Sequence, residues 1–170
     1  FNIAFASRQA ASAGRGGADG VAGFVAASAA AGASGLILPD LPPDMVREGY
    51  KDACASTGLH PVYVVSPNTG RERLEVIAEA GSGLLYATSR TGTTGKEMDL
   101  EMQELTGFLA GARETCGMPI AVGFSISTRE QVEALGGHAD IAVVGTHFIR
   151  VWEEGGTAAL EAELNKLTGS

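Results

Sequence analysis

The sequence predicts an α/β fold: a (β/α)8 TIM barrel of the phosphate-binding type, incomplete, with about strands 4 to 8 present. Three observations predict it. Short apolar runs alternate with helical segments along most of the chain, which is the order of a βα protein. The runs are continuous rather than alternating, as expected for strands of a parallel sheet covered on both faces. Three glycine-bearing turns each follow such a run: Ser89-Arg90-Thr91-Gly92-Thr93-Thr94-Gly95, Gly123-Phe124-Ser125-Ile126-Ser127 and Gly145-Thr146. A helix N-terminus carries unsatisfied N–H groups and a partial positive charge. Three such turns at one end of successive strands converge on one anion, as the loops after the last strands of a barrel do.

The elements follow in order. Residues 7–20 are rich in Ala, Ser, Gly and Arg, lack an apolar period and read as a loop. A helix is expected over 21–31, with Phe24 and Val25 on its buried face and Gly32 at its end. Residues 35–39 read as a strand, and 43–56 as a helix opened by proline. A strand at 61–65 precedes a helix at 71–80 that ends at Gly81. A strand at 84–88 precedes a helix at 100–115, with Gly117 just beyond it. A strand at 119–122 leads to a helix at 127–135, where Ser127 and Glu130 have the spacing of a capping box. The last strand is expected at 141–144. A helix then begins over 147–152, with Trp152 in helix packing, and another closes the chain over 157–167. The expected organisation is one partial barrel domain over 1–170, with its βα units at 21–153. Five strand–helix units in 170 residues fall short of the eight units and about 250 residues of a closed barrel, so three units are expected ahead of Phe1.

Composition excludes several functions. A formal net charge of −8 opposes nucleic acid and anionic membrane surfaces, which attract Lys/Arg clusters. No apolar run reaches the roughly 18 residues that suggest a membrane span, and 1–6 is too short for a signal-peptide core. The bulk reading is a cytoplasmic protein. Cys54 and Cys116 lack metal or redox spacing and read as small apolar fillers. His60, His138 and His147 lack ligand spacing, so no metal is expected and no histidine is assigned a catalytic role.

Five segments, taken together, carry a resemblance. They are Leu36-Ile37-Leu38-Pro39-Asp40-Leu41-Pro42-Pro43, Ser66-Pro67-Asn68-Thr69, Tyr86 to Gly95, Ala121 to Ser127 and Val143-Val144-Gly145-Thr146. In order, they resemble the fourth to eighth strands and following turns of the tryptophan synthase alpha chain family. Phe1-Asn2-Ile3-Ala4-Phe5 looks like the segment after that family's third strand. The likeness is close over 21–153, and the loop Ser89 to Gly95 is its most diagnostic piece.

The resemblance implies a lyase of tryptophan biosynthesis that cleaves indole-3-glycerol phosphate to indole and glyceraldehyde 3-phosphate. It implies an alpha-beta-beta-alpha complex in which indole passes to a beta chain carrying pyridoxal phosphate, while the alpha chain has no cofactor. The reaction needs two carboxyl groups with different environments, one to protonate the indole ring and one to take its N–H proton. In the family these Glu and Asp residues lie on the second strand and the loop after it, which precede Phe1. No catalytic residue is therefore assigned within the chain, and Asp40 is not put in their place.

By the same resemblance Gly95, Gly123, Phe124, Ser125, Gly145 and Thr146 bind phosphate. Ser125 stands where the family has glycine, and Thr146 where it has serine. Tyr86 would line the substrate pocket, and Thr94 would order the catalytic Asp. Asn2, Phe5, Asp40, Leu41 and Pro42 would lie toward the beta chain. Plainer roles stand beside these. Gly95 also admits a reading as a loop glycine, Phe124 and Tyr86 as packing, Thr146 as a helix cap and 40–42 as an ordinary βα loop. Arg90 reads as a solvated loop arginine. Two other functions remain open: another phosphate-binding barrel enzyme, and a non-catalytic module that binds phosphate esters or docks on a beta chain.

Overall fold

The computed structural model describes residues 17–39, 49–88, 96–123 and 126–169. Among these, helices and strands alternate as α1 (Gly17–Ala30), β1 (Gly35–Ile37), α2 (Tyr50–Thr57), β2 (His60–Val65), α3 (Arg71–Ala80), β3 (Leu85–Thr88), α4 (Lys96–Cys116), β4 (Ile120–Gly123), α5 (Arg129–Ala134), β5 (Ile141–Val143) and α6 (Thr146–Thr168). The strands form a five-stranded sheet in the order β1-β2-β3-β4-β5. β1 pairs in parallel with β2, with Leu36 opposite Pro61, and β4 with β5, with Val122 opposite Ala142. Parallel neighbours need a crossover, and a helix supplies each one. The expected alternation of strands and helices is present among the described residues.

The chain divides into two compact units. The first is drawn from the stretch up to Val64, from Thr69–Leu85 and from Thr115–Met118. Its core combines Val21 and Val25 of α1, Tyr50 and Cys54 of α2, and Leu74, Ile77 and Ala80 of α3. Each set recurs at three or four residues, the spacing that aligns side chains on one helix face. Tyr50 meets Tyr63 of β2 edge to face, with centroids 6.4 Å apart, and its hydroxyl donates to the Leu36 carbonyl at 3.3 Å. Burial pushes both phenols upward. Both cysteines are free, and burial raises their thiols. Such thiols are packing groups rather than nucleophiles.

The second unit is drawn from Val65–Asn68, Tyr86–Glu114 and the stretch from Pro119 onward. Leu105, Leu109 and Ala112 of α4 are buried, as are Ile120, Ala121 and Val122 of β4. Burying an Ile or Leu side chain stabilises by about 1.5–3 kcal/mol. Asp140 fixes where the β4–β5 pairing begins. Its backbone N–H donates to the Ile120 carbonyl at 2.9 Å, and its carboxylate accepts from the Ile120 N–H at 2.8 Å. Arg113, in the last turn of α4, donates to the same carboxylate at 2.8 Å. The Ile120 N–H, then Arg113, hold the Asp140 carboxyl below its ordinary range.

The structure corrects the expectation at five places. α1 begins at Gly17, so the described end of the expected 7–20 loop is helical; burial of Val21 and Val25 outweighs the low helix propensity of the glycines there. The capping box belongs to Thr128 and Gln131, one residue later than Ser127 and Glu130, because α5 starts at Arg129. The expected helices at 147–152 and 157–167 are one element, α6, kinked at Gly156, whose φ of 64° and ψ of −157° suit glycine. β5 is not covered on both faces: Ile141 and Ala142 are exposed, and among the described residues β5 ends the strand order, where fewer neighbours lie over its faces. Trp152 is 55% exposed and is not packed into a core.

Candidate functional site

A cleft of about 540 Å³ opens in the second unit at the carboxyl ends of its strands. That volume suits a small-molecule ligand. β3 contributes Tyr86, the turn after β4 contributes Ile126 and Ser127, and β5 contributes Val143. Beyond β5 the wall is Gly145 and the start of α6, with Thr146, His147 and Arg150. The alternation of a strand explains Tyr86. Leu85 and Ala87 are fully buried on one face of β3, which leaves Tyr86 and Thr88 on the other.

Gly123 closes the back of this arrangement. A Cβ there would run into the Tyr86 hydroxyl and ring, so only glycine lets that tyrosine lie across the end of β4. After β4 the chain enters α5 through a self-contained cap. Thr128 Oγ1 accepts from the Gln131 N–H at 3.4 Å, and Gln131 Oε1 accepts from the N–H groups of Ser127 and Thr128 at 2.9 and 3.1 Å. The Glu130 carboxyl is lowered by its own backbone N–H and then by the Thr128 hydroxyl. This helix end therefore holds an anion of its own.

The start of α6 is different. Gly145 is the N-cap and makes no side-chain cap, and the first turn contains no acid. The Ile149 N–H reaches back to the Gly145 carbonyl at 3.2 Å, which leaves the N–H groups of Thr146, His147 and Phe148 ahead of the first helical hydrogen bond. Thr146 is the first residue of the helix rather than its cap, so the plainer cap role does not apply to it. His147 is braced from behind. Its Nε2 lies 2.9 Å from Glu163 Oε1, and Lys166 donates to both oxygens of Glu163 at 3.1 and 3.2 Å. His147, then Lys166, lower the Glu163 carboxyl. An uncapped, acid-free helix start in a cleft can receive an anion through its backbone.

Of the residues singled out from sequence, the structure brings Tyr86, Gly145 and Thr146 into one cleft and sets Gly123 against Tyr86. Asn2, Phe5, Asp40, Leu41, Pro42, Thr94, Gly95, Phe124 and Ser125 lie outside the described residues. Sequence reasoning missed Ile126, Ser127, Val143, His147 and Arg150. Arg150 had a usable signal, since it stands one helical turn after Thr146. Among the described residues, no group of three or more His, Cys, Asp or Glu could hold a metal ion, and no helix is long and apolar enough to cross a membrane.

A sheet of parallel strand pairs joined by helices, with a ligand-sized cleft at the strands' carboxyl ends, defines an α/β protein of the barrel type. A family model described as tryptophan synthase alpha chain matches residues 17–168. The chain belongs to the tryptophan synthase alpha chain family. It is 40% identical over 148 residues to the tryptophan synthase alpha chain of Syntrophotalea carbinolica, covering 87% of this chain and 58% of that protein. It is 42% identical over 137 residues to that of Methanosarcina barkeri, covering 80% of this chain and 51% of that protein. Among solved structures it is similar to a chain of the tryptophan synthase α2β2 complex from Pyrococcus furiosus, with a TM-score of 0.76 and 32% identity. That match covers 88% of this chain and 61% of that one. The chain thus spans about half to three-fifths of the curated relatives it matches.

Proposed function

We propose that this chain carries the phosphate- and substrate-binding part of an indole-3-glycerol-phosphate lyase, acting in tryptophan biosynthesis. The observation that carries this reading is the uncapped, acid-free start of α6 opening on the cleft that Tyr86 lines. The backbone N–H groups at Thr146 and its neighbours hold the phosphate, together with those of the turn after Gly123 and of Gly95. Tyr86 lies beside the indole-glycerol part. The proton transfers belong to the paired Glu and Asp of the family, for which no match is assigned among these residues. The chain needs no cofactor of its own, and pyridoxal phosphate belongs to a beta chain that docks through Asn2, Phe5, Asp40, Leu41 and Pro42. The assembly works in the cytoplasm.

Calorimetric titration of the chain with indole-3-glycerol phosphate, followed by an assay for released indole, tests this. Binding without indole release is the expected result. Release of indole would place acid–base carboxylates within these residues. Absence of binding would sink the reading and leave docking on a beta chain as the alternative.

A further inference from the structure

The two halves of α6 meet where a straight helix would keep them apart. His147 and Glu163 are 16 positions apart in the chain. In an unbroken helix that separation spans about 24 Å along the axis, yet Glu163 Oε1 lies 2.9 Å from His147 Nε2. The chain turns back at Gly155 and Gly156. Gly156 has φ 64° and ψ −157°, a backbone region almost closed to other residues. A Cβ on Gly155 would run into the Ala159 side chain. Hinges are made of a few residues that absorb such a change in backbone angles.

Beyond this turn, residues 157–168 are held largely by polar contacts. Leu167 is the one buried residue of α6, whereas α4 buries Leu105, Leu109 and Ala112. Leu164, in the same stretch, is 47% exposed. Glu163 meets His147, and Lys166 donates to both Glu163 oxygens. The His147 and Glu163 side chains are 27% and 15% exposed, the best shielded of the described acid–base pairs. At the far end the Arg129 guanidinium of α5 lies where a Cβ on Gly169 would be, and a cation suits the C-terminal end of a helix. Few buried apolar side chains are the mark of a segment that opens locally, ahead of global unfolding.

We propose that residues 157–168 form a hinged arm that opens as a unit about Gly155 and Gly156, and that the contact between Glu163 and His147 latches it to the cleft wall. Opening exposes one buried side chain, Leu167, and leaves the rest of the second unit in place. It also withdraws the carboxylate from His147, a residue that lines the cleft. The arm therefore sets whether that imidazole is held from behind or is free to face the cleft.

The test is native-state hydrogen exchange of the full chain in low urea, read by mass spectrometry, with its E163A, H147A and double variants. Circular dichroism melts establish folding, and either single variant carries the test where the other does not fold. Amides of residues 161–167 should exchange at least about tenfold faster than those of 105–112, with little dependence on urea. E163A and H147A should each raise exchange of the arm by about tenfold and leave α4 unchanged. The double variant should exchange no faster than either single one, because both remove the same contact. An arm that exchanges at the rate of α4, with the same urea dependence, overturns the hinge. Unchanged exchange in E163A or H147A, or single effects that add in the double variant, overturns the latch.

Discussion

The last two strand-to-helix junctions of the second unit begin alike and end differently. β4 runs through Gly123 toward α5, and β5 runs through Gly145 into α6. At the first, the helix end is satisfied from within: Thr128 and Gln131 cap it reciprocally and Glu130 places a carboxylate on it. At the second, the cap is a glycine with no side chain to offer, and the turn behind it holds no acid. The glycines differ too. Gly123 is buried against Tyr86, whereas a Cβ on Gly145 would meet no atom within 4 Å. A glycine after a strand thus serves two purposes here, close packing of an aromatic at one junction and an open backbone at the other. Only the second kind leaves a helix dipole free for a ligand.

The contrast can be strained at several points. The largest effect is expected in the strands that feed the junctions. Ile120→Ala should destabilise by about 2–5 kcal/mol, because Ile120 is fully buried. Ile141→Ala, in the 45% exposed residue opposite Ala121, should stay within about 0.5 kcal/mol. Urea unfolding of both variants measures the difference, and equal losses would mean that β5 is as covered as β4.

Gly123→Ala comes next, at about 1–3 kcal/mol, since the new Cβ must displace Tyr86. Tyr86→Leu should restore part of that stability. Failure of the second substitution to rescue the first would show that the tyrosine is not what requires glycine.

Thr128→Ala removes the cap of α5 and should lower stability by about 1 kcal/mol. Affinity for glycerol 3-phosphate should change little, because the cap satisfies the end of α5 itself, whereas the phosphate contacts proposed for this junction belong to the turn that precedes Thr128. A fall in affinity as large as the loss of stability would show that the start of α5 itself, and not only the turn before it, serves the ligand, and would break the contrast.

The smallest effect is linked to pH. The Asp140 carboxyl is held below its ordinary value by the Ile120 N–H and by Arg113. Its contribution is therefore present above the ordinary carboxylate range and lost as pH falls through the lowered folded value. Asp140→Asn should reduce the urea midpoint at neutral pH, and the difference from the parent should shrink on acidification below about pH 4. A difference that persists at low pH would assign the effect to shape rather than charge.

Much of this fold was legible because local rules and tertiary packing agree. Arg71–Ala80 reads as a helix from its spacing of Leu74, Ile77 and Ala80, and all three are buried. The region from 146 to 168 read as two helices because two glycines interrupt it; Gly156 does break the geometry, yet the helices abut without a connecting loop. The capping box was misread by one residue because Ser127 and Thr128 are both acceptable caps and both have an acidic or amide residue three positions on. The helix start at Arg129, a packing outcome, chose between them. Trp152 read as packed because of its residue type; its place on an exposed face of α6 has no signature in the local sequence.

The sequence by itself determined the alternation of strands and helices, the parallel character of the sheet and the glycines at its carboxyl ends. Those follow from short-range chemistry: apolar runs, breakers and backbone freedom, each readable within a few residues. Tertiary structure alone decided which helix start stays open. Whether Glu163 reaches His147, and whether Arg150 faces the cleft, depends on residues brought together across a kink and from separate strands. Electrostatics at a site are a property of distance in space, and the spacing of residues along the chain does not fix that distance.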